Sequence, residues 1–135
     1  MKYDYDGSGV ERELDATAYT LMVYEQEFKS GLIEDVFGRI SIPEDTDGMV
    51  VADYTRDNWI AYTRALWAML RSASDRLALE GKPHEDVPNF RTWSMYATNL
   101  NLAKVSYDLV MGEIQRKFFR SGTAASEDAA GPAEA

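Results

Sequence analysis

The chain has 135 residues, 45% of them apolar and 12% aromatic, enough for one packed core that buries roughly two-thirds of the unfolded surface. Its formal charge of −9 argues against general nucleic-acid binding and against attraction to an anionic membrane, since both need a cationic face. The lack of cysteine excludes disulfides, thiolate metal sites, iron–sulfur clusters and cysteine nucleophiles.

The first residues, Met1-Lys2-Tyr3-Asp4-Tyr5-Asp6, carry no apolar run of the kind a secretory signal needs, and no stretch reaches the ~18 apolar residues of a membrane span. A soluble intracellular protein is therefore expected. Acids crowd residues 1–48, where the bases are Lys2, Arg12, Lys29 and Arg39, while residues 49–120 are nearly neutral. Solubility explains an acidic front half without invoking a partner.

In chain order, residues 2–6 alternate aromatic and charged side chains, Gly7-Ser8-Gly9 supplies a turn, and residues 10–14 alternate again. A short hairpin over residues 1–14 is predicted, one that must lean on helices because two strands alone are marginal. From Asp15, read as an N-cap, the period becomes helical: Ala18, Leu21, Met22, Glu25 and Phe28 form a stripe that only Glu25 breaks. Gly31 ends or bends that helix. A second short helix carries Ile33, Val36, Phe37 and Ile40, and residues 43–48 read as a loop.

The clearest helix runs from about Thr55 to Leu79, with Trp59, Ile60, Thr63, Leu66, Trp67, Leu70, Ala73, Ser74 and Leu77 on one broad stripe. Gly81 stands where a C-terminal cap belongs, and Pro83 prevents continuation. A short helix with Phe90, Trp93, Tyr96 and Ala97 follows. A final helix spans about Leu100 to Phe119, apolar on nearly all sides between Ala103 and Met111. Residues 121–135 hold no large apolar side chain and are expected to form a disordered acidic Ala/Gly/Ser-rich tail. The expected fold is mainly α, a single domain over residues 1–120 built as a bundle of four to five helices.

Chemistry-bearing patterns are sparse. Asp4, Asp6, Ser8 and Asp15 fall at the first, third, fifth and twelfth positions of a calcium-loop spacing, with Gly9 at the sixth. There is no entering helix, position eight is Glu11, and Asp15 is shorter than the usual bidentate Glu, so an acidic hairpin turn is the preferred reading. His84, the one histidine, has no second ligand and reads as a solvated loop residue. Glu25 with Glu27 and Glu34 with Asp35 read as a solvated face. No serine sits in a strand–turn–helix elbow, and the Gly7-Ser8-Gly9 stretch lacks the lysine of a phosphate loop. No catalytic residue, cofactor or metal is expected. The abundant feature is aromatic area. Trp93, Tyr96, Phe118 and Phe119 are candidates for partner contact as well as for core, and adjacent Phe118 and Phe119 are not expected to share one core.

The run from Thr20 to Phe28, followed by Leu32-Ile33-Glu34-Asp35-Val36, resembles the tail assembly chaperones of long-tailed bacteriophages and prophages. That family's early helix reads roughly apolar-x-Tyr-x-x-x-Phe-Gly-x-x-apolar-apolar-x-Asp. The likeness extends in outline through the Trp-bearing central helix, the Pro88-Asn89-Phe90-x-x-Trp93 segment and the low-complexity tail. The chain departs at Lys29-Ser30-Gly31, where the family more often has Gly directly after the Phe. The resemblance implies a non-enzymatic protein of the host cytoplasm, absent from the mature virion. It would bind the tape-measure protein, hold its apolar helices soluble and help recruit tail-tube subunits, in a groove expected between the central and final helices. An unrelated all-helical adaptor is the alternative, and homo-oligomer formation stays open.

Overall fold

The structure, a computed structural model, describes residues 1–38 and 59–119. The loop at 43–48, Ile40, the start of the central helix at 55–58 and the tail at 121–135 lie outside the described residues. The fold is mainly helical. An antiparallel pair, β1 (Lys2–Tyr3) and β2 (Arg12–Glu13), is followed by α1 (Ala18–Phe28), α2 (Leu32–Phe37), α3 (Trp59–Leu79) and α4 (Phe90–Tyr96). The last helix, α5, opens as α-helix over Leu102–Val105, widens to a π-helix over Ser106–Ile114 and closes as α-helix over Gln115–Phe118.

The hairpin falls where alternation predicts it and is shorter. Lys2 pairs with Glu13 and Tyr3 with Arg12, and the intervening turn is held by its own carboxylates. Asp4 Oδ2 accepts the Gly9 N–H at 2.8 Å, and Asp6 Oδ1 accepts the Ser8 N–H at 3.1 Å.

Asp15 is not the cap of α1. Thr17 is, with its N–H donating to Thr20 Oγ1 at 3.0 Å, while that hydroxyl donates to the Asp15 carbonyl. The Asp15 carboxylate instead takes a forked pair of bonds from Arg76, at 2.7 and 3.1 Å, tying the entry of α1 to the end of α3. The buried face also differs from the expected one. Thr20, Val23 and Tyr24 face the core, whereas Ala18, Met22 and Glu25 of the expected stripe face out.

α3 is the strut on which the rest packs. From Tyr62 to Ser74 it is buried on most sides, because α1, α2, α4, α5 and β2 all touch it. Trp59 and Ile60, the first members of the expected stripe, are exposed. Its end is a Schellman motif: the Gly81 N–H donates to Ala78 and the Lys82 N–H to Leu77, with Gly81 at φ +71°. One continuous core joins Trp67, Tyr24, Phe37, Leu14, Leu66, Met69 and Leu109.

The π-turns of α5 have a sequence cause. Val105, Leu109 and Val110, Ile114, then Phe118 and Phe119 recur every four to five residues, which is too long for a 3.6-residue turn. An α-helix would spread them around the axis and bring Arg116 and Lys117 toward the core. The wider i→i+5 turn gathers Val105, Leu109, Val110 and Ile114 on one buried face. Ala103, Lys104 and Tyr107 then form a wet side, so the helix is not apolar all round.

Candidate partner-binding surface

The aromatic residues separate into a core set and an exposed set. Trp93 belongs to the core, 8% exposed, stacked between Tyr5 and Phe90 with ring centroids 6.1 Å from each. The chain of rings continues from Phe90 to Phe28 at 5.0 Å and from Phe28 to Trp67 and Tyr24. Trp67 is anchored further by Nε1 donating to the Pro88 carbonyl at 2.8 Å, which locks the loop before α4 onto α3. Trp93 is thereby unavailable to a partner.

Phe118 and Phe119 also depart from expectation. Both are half-buried against the same core. Adjacent residues share it because the helix stops at Phe118. Phe119 leaves helical geometry at φ −133° and ψ 75°, which sends its ring edge-on to Phe37 at 5.8 Å. On the preceding turn Glu113 is buried, its carboxylate paired with Arg116 and, at 4.0 Å, with Lys117. The expected groove between central and final helices is occupied by packing of α3 directly on α5 through Val105, Leu109, Val110 and Ile114.

Tyr96 is the candidate that stands free. It is 79% exposed, beside Met95 at 65%. The buried face of α4 runs Phe90, Trp93, Ala97, and Tyr96 lies at its margin in the helix's last position. Met95 escaped the sequence reading. Its signal was an apolar side chain two positions after the buried tryptophan, hence on the opposite face.

The candidate calcium ligands do not converge. The Asp4 and Asp6 carboxylates serve the turn's backbone and Asp15 serves Arg76. Bonds from Ser8 hold the Asp6 carboxyl below its ordinary range. Among the described residues no group of three His, Asp or Glu side chains is placed to hold a metal ion. His84 Nδ1 lies 3.0 Å from the Lys82 carbonyl and Nε2 3.6 Å from Asp86, on the surface. No described helix is long and apolar enough to cross a membrane.

Of the acids read as a solvated face, Glu34 is exposed, but Asp35 is half-buried and has a structural task. Asp35 Oδ2 accepts from the Tyr24 hydroxyl at 2.7 Å and from Ser30 Oγ at 2.5 Å, pinning α1 to α2. Burial first, then the bond and charge of Asp35, push the Tyr24 phenol well above its ordinary pKa. Phe28 stacks edge-on against Tyr24 at 4.7 Å, and Lys29 closes α1 in the left-handed conformation at φ +60°. No family model, curated protein or solved structure matches this chain.

Proposed function

We propose that this chain is a non-enzymatic tail assembly chaperone of a long-tailed phage or prophage. It binds apolar helical segments of the tape-measure protein in the host cytoplasm, helps recruit tail-tube subunits, and leaves before the virion matures. The observation that carries the reading is local. The positions on which the resemblance rests, Tyr24, Phe28, the residue after it, and Asp35, act together as one device. The tyrosine and aspartate bond to each other, and Lys29 adopts the backbone conformation for which the family's glycine is suited. A motif with a single physical task is stronger support than a set of scattered apolar positions.

The client contact is assigned to Tyr96 and Met95. A tyrosine offers a large amphipathic anchor, and a methionine adapts to irregular apolar partners. The test is co-expression with a long helical segment of the neighbouring tape-measure gene, the segment alone carrying an affinity tag. Co-purification at a fixed ratio is expected, reduced about tenfold by the double change Met95→Ala and Tyr96→Ala with the far-UV spectrum unchanged. A client that stays insoluble in the presence of this chain, or that ignores the double change, would count against the reading.

A further inference from the structure

The exposed face of α4 carries Arg91 and Thr92 on one turn and Met95 and Tyr96 on the next. Phe90, Trp93 and, just beyond the helix, Ala97 turn to the core. Met95 thus stands one turn along from Arg91, whose side chain is exposed. Among the described residues no carboxylate pairs with the Arg91 guanidinium. Other cations are matched to the chain's own acids, Arg71 with Asp75, Arg76 with Asp15 and Lys104 with Asp108. Arg91 is a free positive charge beside two exposed apolar side chains.

The stretch around it is unlike the rest of the chain. Residues 87–107 hold no Asp or Glu, the longest such stretch in a sequence of formal charge −9, and α4 lies within it. Glu27 of α1 does reach α4, accepting the Phe90 N–H at 3.3 Å, but at the end of the helix remote from Tyr96. An acidic segment approaching the acid-rich front half meets like charge, whereas at α4 it meets Arg91.

We propose that the Met95–Tyr96 surface selects an acidic amphipathic helix, its apolar row seated on those two side chains and a carboxylate one turn along held by Arg91. This rests on the assignment of client contact to Met95 and Tyr96. The planar fork of a guanidinium fits a carboxylate with two parallel bonds. Side chains one turn apart on a client helix stand about 5–6 Å apart, the same separation as Arg91 and Met95 along α4. A lysine-flanked helix meets the reverse. The molecule's net charge attracts it in general, but Arg91 repels it at this face. Net charge and local charge therefore predict opposite orders of binding.

The experiment titrates the full chain, labelled with nitrogen-15, with two blocked helical peptides that share one leucine row. One carries Glu beside that row and the other Lys. At low salt the Glu peptide should bind about fivefold more tightly, with saturable shifts at the Met95 and Tyr96 amides. The difference should shrink at about 0.5 M salt. Arg91→Gln should remove the preference and Arg91→Glu should invert it, both with the far-UV spectrum of the parent. A Lys peptide that binds as tightly as the Glu peptide overturns the proposal, as does a preference that survives Arg91→Gln. Absence of saturable shifts below about 1 mM of either peptide overturns it too. The client contact itself is read separately, through the double change Met95→Ala and Tyr96→Ala. If that change weakens both peptides while no preference exists, the charge selection alone falls. If it weakens neither, the contact surface falls with it.

Discussion

At position 29 the chain places a lysine where the backbone needs φ +60°. A side chain in that region costs roughly 1–2 kcal/mol, while glycine there costs about 0.5–1 kcal/mol through the freer unfolded chain. Lys29→Gly should therefore stabilise the protein by about 0.5–1 kcal/mol, read as a higher urea midpoint at unchanged slope. Tyr24→Phe should act in the opposite sense. It leaves Asp35 with only the Ser30 hydroxyl among the bonds described above, and a loss of about 1–2 kcal/mol is expected in the same assay. Trp93→Ala is predicted to cost about 3–5 kcal/mol, because it removes a ring stacked on both Tyr5 and Phe90. A Trp93→Ala protein that kept its stability but lost its client would return this residue to the partner surface.

The elements carry a different kind of prediction. A π-stretch behaves like an α-helix holding an extra residue, so removing one residue inside it leaves both flanks in place. Deletion of Gly112 should give a folded chain with an ordinary α5 and a melting temperature within a few degrees of the parent. Deletion of Ala73 from α3 should not, because it turns everything beyond it by about 100° and takes Ser74 from the core. Equal tolerance of both deletions, measured by circular dichroism, would show that the apolar spacing does not set the width of α5. The same spacing explains what was legible in the sequence. The helical class, the place of the hairpin (though not the length of its strands) and the Gly81 stop follow from local pattern. The facing of α1 does not, because Asp15 has two uses and its bond to Arg76, far away in sequence, decides between them. Trp93 failed as a partner candidate for a related reason. Its burial depends on Tyr5 from the hairpin, a contact that no periodicity within α4 encodes. The shared packing of Phe118 and Phe119 needed the backbone to leave the helix between them.

Across the whole molecule, two phenols join separate elements, Tyr3 across most of the chain and Tyr24 between consecutive helices, and the pKa of each is raised. Tyr3 on β1 donates to Asp108 of α5 at 2.8 Å. Burial, the bond and the carboxylate's charge push its pKa to about 12, with Lys104 opposing. On the other side of that bond burial would raise the Asp108 carboxyl, but Lys104 and Tyr3 together hold it below its ordinary value. Tyr24 is raised for the same reasons as Tyr3. An unfolded phenol loses its proton near pH 10. Above that pH the folded state holds protons that the unfolded state has released, so stability falls as pH rises. The contribution is complete below about pH 10 and is lost as pH passes the folded values, near 12 for Tyr3. Urea unfolding at several pH values between 8 and 12 should show this decline. The acidic molecule's own repulsion also grows with pH, so the decisive sample is the double variant Tyr3→Phe with Tyr24→Phe. It should be less stable than the parent at pH 8, where both hydrogen bonds are intact in the parent, and should lose less stability from there upward. A double variant that declines as steeply as the parent would assign the alkaline instability to net charge, and the two phenols would then be packing groups whose hydrogen bonds do not couple the hairpin and α2 to pH.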